Sequence, residues 1–342
     1  ETAFSGNVVA VRLQLMNENI VRVVGIADSN LVLKESLMIT GKSVPIKFDV
    51  KSNNRYVTLK TAKLRAAVDL QTGQVSFFDA EGKKILAEKQ WGRNLSPVTF
   101  DGEKFFDIRQ DFITTSDDAW YGLGQHQSGL MNYKTHQVQL FQNNTEVAVP
   151  FLISRKNYGI LWDNYSITQA GDVRPYQPMN RWKLLSKDGH EGWLTATYSN
   201  DKNDPAKVVV QRPESDIHFE FLGDSKLYLP ENFDPANGVV TWEGTVGSDA
   251  SGLHKLRLTY GGYLKIWIDG KLLLDKWRVS WNPGTSILDI PFQKGEQYTF
   301  KMEWIPNGGE SYLSLKTLPP LTLEEENGFS FLSEAGQQLD YY

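Results

Sequence analysis

Cysteine is absent from all 342 residues, and that absence excludes disulfides, zinc ribbons and thiol nucleophiles together. It leaves the compartment open, because a chain without thiols suits cytosol and periplasm equally. Long apolar runs are absent too, since no window approaches the ~18 uninterrupted apolar residues that a membrane-spanning helix requires. No Lys/Arg cluster marks a nucleic-acid face, and the net charge of −5 is spread over both signs. A neutral ligand fits that balance better than a polyanion does. The 3.6-residue period of an amphipathic helix is almost missing. The chain opens on Glu1 without an initiating Met, a basic n-region or an apolar h-region. Removal of a signal peptide or tag leaves such a start, so a periplasmic or secreted location is expected.

What the chain has in abundance is alternation with period two. Val9, Val11, Leu13 and Leu15 alternate with Ala10, Arg12 and Gln14. Leu64, Ala66, Val68 and Leu70 do the same, and the chain then turns at Thr72-Gly73 into Val75 and Phe77. Turn signals recur at Ala80-Glu81-Gly82, Asp101-Gly102, Asp188-Gly189, Asp269-Gly270 and Asn307-Gly308-Gly309. Many short strands separated by such turns predict an all-β chain of sandwiches or barrels.

Composition shifts near residue 190, where Ser199-Asn200-Asp201-Lys202-Asn203-Asp204-Pro205 forms a polar, breaker-rich connection. Paired prolines in Leu318-Pro319-Pro320-Leu321 end a strand at a second seam, and Glu324-Glu325-Glu326 beyond it reads as a solvated turn. These seams predict a β-sandwich over 1–190, an inserted unit over 191–317 and a return to the sandwich over 318–342.

The inserted unit contains "YLKIWIDGKLLLDKW" and "GEQYTFKMEW…NGGESYLSLK", with Asp269-Gly270 as a two-residue hairpin turn. It resembles the anthrax protective-antigen-type domain, a β-barrel often attached to glycosidases and adhesins, where it commonly serves carbohydrate recognition. Adhesin members of that family bind calcium and sugar through paired aspartates before the "IDG" strand. This chain has Tyr260, Gly261 and Gly262 there, so no metal of that type is expected. Trp242, Trp267, Trp277, Trp281 and Trp304 suit either the filling of a small barrel or the stacking of pyranose rings, and core is the simpler reading for any one of them.

In the first unit, "NNRYVTLKTAKLRAAVDLQTGQVSFFDAEGKKILAEK", "YGLGQHQ", "NTE" and "YGILWDNYS" together resemble the galactose-mutarotase-like β-sandwich at the N-terminus of glycoside hydrolase family 31. They are most similar to the bacterial α-xylosidase branch that acts on xyloglucan fragments, which also carries a protective-antigen-type insertion. That resemblance implies a retaining α-glycosidase, in which one carboxylate attacks the anomeric carbon and a second protonates the leaving oxygen, about 5–5.5 Å away. In the family both are aspartates on a (β/α)₈ barrel that follows the sandwich. No W-x-D-M-x-E-like nucleophile motif occurs here. Trp267-Ile268-Asp269 is the nearest spelling, and it lies in a hairpin. No catalytic residue, metal or cofactor is therefore expected within this chain, and the barrel is expected as its partner.

His126, between two glutamines, lacks companions for a metal cluster and lacks a Ser/Asp constellation. Gly122 and Gly124 admit backbone angles other residues resist, so the segment reads as a shaped loop. The family resemblance points instead to Gln142, Asn143, Asn144, Thr145 and Glu146. There this loop leans over the barrel mouth and helps shape the sugar pocket, and its amides, hydroxyl and carboxylate suit sugar hydroxyls. The same side chains also suit an ordinary turn. Asp163 is left between capping a strand and facing the same interface. The reading is a non-catalytic N-terminal portion of an α-xylosidase acting on xyloglucan oligosaccharides, whose sandwich braces the barrel and whose insert extends the cleft. A free-standing carbohydrate-binding or adhesin-like two-domain protein is the alternative.

Overall fold

A computed structural model describes residues 4, 6–28, 35–41, 44–220, 228–307 and 311–342. The chain forms two compact units, Glu1–Val173 with Thr322–Tyr342, and Arg174–Leu321. Both are all-β, as the period-two alternation implied.

The first unit is built on a nine-stranded antiparallel sheet. Its middle is Lys84–Phe100, Glu103–Ile113 and the returning strand Gly328–Gly336, which pairs with both Glu103–Ile113 and Thr168–Gly171. The returning strand Gly328–Gly336 is thus an interior strand of the sheet. Two three-stranded sheets complete the sandwich. One joins Ala10–Asn17, Ile20–Ile26 and Leu339–Tyr341; the other joins Tyr158–Leu161, Val147–Ser154 and Trp120–Gln125. Ala66, Val68, Val75 and Phe77 point into one core with Leu95, Phe112, Trp120, Trp162, Phe329 and Phe331. Trp162 stacks on Phe331 at 4.9 Å, and its indole N–H donates to Ser333 Oγ at 2.8 Å, so burial leaves no polar debt at that ring. Each fully buried side chain of this kind contributes about 1.5–3 kcal/mol.

The second unit is two antiparallel sheets packed across a single core. One runs Val208–Glu214, Leu194–Ser199, Val239–Gly247, Gln297–Ile305, Gly262–Ile268 and Lys271–Arg278; the other is centred on Tyr312–Leu318 and Gly252–Tyr260. Phe300, Met302 and Trp304 all face inward, following their alternation. Asp269 and Gly270 have φ of 48° and 72° and join Ile268 to Lys271 as a tight hairpin. Gly308 and Gly309 lie outside the described residues.

The first boundary falls earlier than composition placed it. Lys183–Ser186 pairs with Val239–Gly247, and Gln177–Pro178 pairs with Tyr312–Leu318. Residues 174–190 therefore belong to the second unit, because their hydrogen-bond partners lie far along the chain. At the second seam, the expected solvated turn is a single helical turn, Leu323–Glu326, with no buried residue. Thr322 Oγ1 accepts from the Glu325 N–H and Glu325 Oε2 accepts from the Thr322 N–H, a reciprocal capping box.

Candidate functional site

The loop predicted from the family resemblance connects Gln137–Leu140 to Val147–Ser154. Its position is set by the neighbouring strand Trp120–Gln125. There Gly122, Leu123 and Gly124 have φ of 92°, 61° and 101°. Gly122 pairs with Leu152 and Gly124 with Ala148, so the longer strand bulges between those pairs. A Cβ at Gly124 would stand 1.9 Å from the Val147 carbonyl oxygen, and one at Gly122 2.5 Å from that of Phe151. Glycine is required at both places by close backbone approach. That is the work of the "YGLGQHQ" segment, and it is structural.

His126 follows the bulge and is nearly buried. Its Nε2 donates to the Leu123 carbonyl at 2.8 Å, which leaves Nδ1 as the open position. Nδ1 is 3.7 Å from Glu146 Oε2, and the ring meets Tyr133 edge-on with centroids 6.3 Å apart. Burial raises the Tyr133 hydroxyl above its ordinary pKa, with Glu146 adding to the shift. Among the described residues, no group of three or more His, Asp or Glu is arranged to hold a metal.

The five loop residues divide into two sets. Gln142 closes the loop: its amide donates to the Glu146 carbonyl at 2.7 Å and accepts from the Ala148 N–H at 3.3 Å. Thr145, at φ 67°, receives Gln127 Nε2 on its hydroxyl at 2.5 Å. A β-branched residue in the left-handed region is uncommon and is held there by its surroundings. Gln142 and Thr145 are therefore bracing groups. Asn143 Oδ1 accepts from the Asn144 N–H at 2.7 Å, leaving its amide nitrogen outward. Asn144 is exposed and the Glu146 carboxylate is partly exposed beside His126, so Asn143, Asn144 and Glu146 hold the chemistry available to a ligand.

Sequence reasoning missed what lies beside this loop. Val147, Val149, Phe151 and Ile153 form a row of outward side chains, each 40–46% exposed, while Leu152 and Ser154 turn inward. In the second unit Trp242 and Trp304 are fully buried, with indole N–H groups on Glu214 Oε2 at 2.6 Å and on the Gly261 carbonyl at 2.8 Å. Trp277 and Trp281 are 52% and 71% exposed, and Trp277 lies 6.0 Å from the exposed ring of Tyr263.

This sandwich and its companion define a known pair of modules. Residues 10–170 match the glycosyl hydrolase 31 N-terminal galactose mutarotase-like domain, and residues 189–322 match the PA14 domain. The chain is similar throughout to the crystal structure of a GH31 α-xylosidase from Xanthomonas citri. That likeness has 37% identity and a TM-score of 0.86, and covers 100% of this chain and 37% of that one. An α-xylosidase of Saccharolobus solfataricus is 30% identical over 46% of this chain and 22% of its own length. A family 31 glucosidase of Pseudescherichia vulneris, itself uncharacterized, is 25% identical over 41% of this chain and 30% of its own. The chain thus spans between 22% and 37% of the length of these three relatives.

Proposed function

We propose that this chain is the N-terminal portion of a retaining family 31 α-glycosidase that releases xylose from xyloglucan-type oligosaccharides. The observation that carries the reading is the end-to-end likeness to the Xanthomonas citri α-xylosidase, both units included. On this reading a catalytic (β/α)₈ domain supplies the nucleophile and acid carboxylates. The sandwich supports that domain through the apolar row Val147–Val149–Phe151–Ile153, and Asn143, Asn144 and Glu146 reach sugar hydroxyls at the pocket rim. The second unit, read as a protective-antigen-type domain, lengthens the substrate cleft. Oligosaccharides derived from a plant polymer are met outside the cytoplasm, so a periplasmic or secreted location belongs to the same proposal.

The test is to express the polypeptide encoded by the whole parent gene and assay aryl α-xylosides against aryl α-glucosides. The expected result is xylosidase activity in the longer protein and none in residues 1–342. Asn144→Ala and Glu146→Gln are expected to lower kcat/KM at least about tenfold, or ~1.4 kcal/mol in transition-state binding, with the fold unchanged. Hydrolysis by residues 1–342 alone, or loop variants with unaltered kinetics, would overturn the reading.

The exposed aromatics favour a second reading, a glycan-binding protein acting through Tyr263, Trp277 and Trp281. Flat aromatic faces and pyranose rings bury apolar area together. Calorimetric titration with xyloglucan oligosaccharides decides it: binding by residues 1–342 that Trp277→Ala abolishes, without activity in any longer product, selects this alternative.

A further inference from the structure

The first unit contains a cavity of about 300 Å³ that no part of the proposed function uses. Asp163, Tyr165, Gln338, Asp340, Phe105 and Glu35 contribute to its wall. Asp163 is only 7% exposed; among the described residues neither of its carboxylate oxygens receives a well-formed hydrogen bond, and the nearby Tyr165 hydroxyl acts on it without satisfying it. Gln338 Oε1 is also buried and unpartnered, because its amide nitrogen is already committed to Asp340 Oδ2 at 2.8 Å. Asp340 is satisfied: Arg22 Nε donates to its Oδ1 at 2.9 Å, and Arg22 Nη2 also bonds it. Arg22 bonds Asp340 and is also drawn by the charge of Asp163, but no Lys or Arg stands among the described residues that line the cavity.

A buried carboxylate without a donor costs several kcal/mol unless a cation meets it. The groups left open are all acceptors, two on Asp163 and one on Gln338, so the missing occupant is a pure donor. A sugar hydroxyl can donate to a carboxylate but brings no charge to balance it, so it would leave the buried charge of Asp163 uncompensated. A hard divalent cation asks for six or more oxygen ligands, and no cluster of three or more metal-binding side chains forms among the described residues. A guanidinium carries five donors in one plane and pairs with a carboxylate through two parallel bonds. Phe105 and Tyr165 supply flat apolar surface of the kind such a plane stacks against. The Tyr165 hydroxyl accepts from the Leu37 N–H at 2.6 Å; burial, with the Asp163 carboxylate adding to it, raises its pKa.

We propose that this cavity is a receptor for a guanidinium group, paired bidentately with Asp163 and capped by Gln338 Oε1. The group arrives either on a small guanidino compound or as an arginine side chain of an adjoining polypeptide.

The test is titration of residues 1–342 with agmatine and, separately, with N-acetyl-arginine-N-methylamide, followed by the amide resonances of Asp163 and Gln338. Saturable shifts are expected at millimolar concentration or below. In Asp163→Asn the affinity is expected to fall at least about tenfold, and butylamine, a single-point cation, is expected to bind similarly more weakly. Binding of agmatine alone assigns the site to a small compound; binding of both ligands assigns it to an arginine-bearing segment. Thermal unfolding gives an independent readout, because Asp163→Asn removes an unpaired buried charge and is expected to leave Tm unchanged or raised. No binding by either ligand, binding indifferent to Asp163→Asn, or a Tm several degrees lower in that variant would each overturn the proposal.

Discussion

Glu88 joins three separate parts of the first unit through one buried carboxylate. Its side chain is 1% exposed and receives three donors: the Val75 N–H at 2.7 Å, Arg93 Nη2 at 2.5 Å, and the Tyr341 hydroxyl at 2.9 Å. Arg93 is equally buried, and its other side-chain partner is Gln110 Oε1 at 3.1 Å. Tyr341 belongs to the last strand, so Glu88 ties that strand to the main sheet, and burial holds the Tyr341 phenol well above its ordinary pKa. Glu88→Gln keeps the shape, removes the charge and turns an amide N–H₂ toward groups that are themselves donors. Breaking a buried pair from one side costs about 3–5 kcal/mol. The retained volume and partial hydrogen bonding put this substitution near the lower figure, about 3 kcal/mol. For a unit of this size that is a Tm loss of roughly 6–12 °C. Glu88→Leu combined with Arg93→Met removes both charges, and is expected to recover at least about 2 kcal/mol relative to the sum of the single changes. Urea unfolding followed by near-ultraviolet circular dichroism measures all three. A Glu88→Gln cost below about 1 kcal/mol would refute the reasoning, because it would mean that water reaches the pair.

The other predictions address the bulge, the second unit and the bare strand face. Gly124→Ala drives a Cβ into the Val147 carbonyl at a φ of 101°, and is expected to cost at least about 2 kcal/mol or prevent folding, as read by denaturation. His254 is buried beside Trp182 and Phe292, and burial lowers its pKa below the ordinary 6.5. The unfolded chain therefore binds the proton more readily, so the second unit is expected to lose stability as pH falls below about 6.5, by at most about 1.4 kcal/mol per pH unit. His254→Phe should flatten that slope in denaturation series from pH 7.5 to 5. Val149→Lys, on the exposed row, is expected to change the stability of residues 1–342 by less than about 0.5 kcal/mol. The same change in a longer polypeptide with a packed catalytic domain should lower activity or Tm, and equal effects in both would count against the bracing role.

Much of the fold was legible because strand alternation is a local property. Ala66, Val68, Val75 and Phe77, and likewise Phe300, Met302 and Trp304, lie inward as their spacing required. Asp269-Gly270 formed its hairpin because both residues accept positive φ. Pairing is not local, and that is where the reading failed. Nothing within residues 183–186 says that their ladder partner lies some sixty positions onward. Trp277 and Trp281 escaped for a related reason. Trp277 sits on Lys271–Arg278, the end strand of its sheet, where alternation alone does not imply cover. The cavity around Asp163 joins residues near 35, 105, 163 and 338, so no single window could disclose it. The Thr322–Glu325 capping box, by contrast, carries a local T-x-x-E signal that the sequence reading passed over.

One strand links the sequence to the proposed role more directly than the loop residues do. Val147-Ala148-Val149-Pro150-Phe151-Leu152-Ile153 is apolar without alternation. In sheets, a run of that kind marks a strand covered on both faces, whereas a strand with one wet face alternates apolar with polar residues. Here Leu152 enters the core, while Val147, Val149, Phe151 and Ile153 face out of the unit. The sequence is that of a doubly covered strand, and within this unit one of its faces is bare. The strand is also the middle member of its three-stranded sheet, paired on both sides over Leu152–Ser154, so its bare surface there consists of side chains rather than open backbone. Such a surface favours a packed apolar layer over an added strand. A catalytic domain seated against it would bring the neighbouring Asn143, Asn144 and Glu146 to the edge of that domain's pocket, which is why the bracing role and the substrate-lining role stand or fall together.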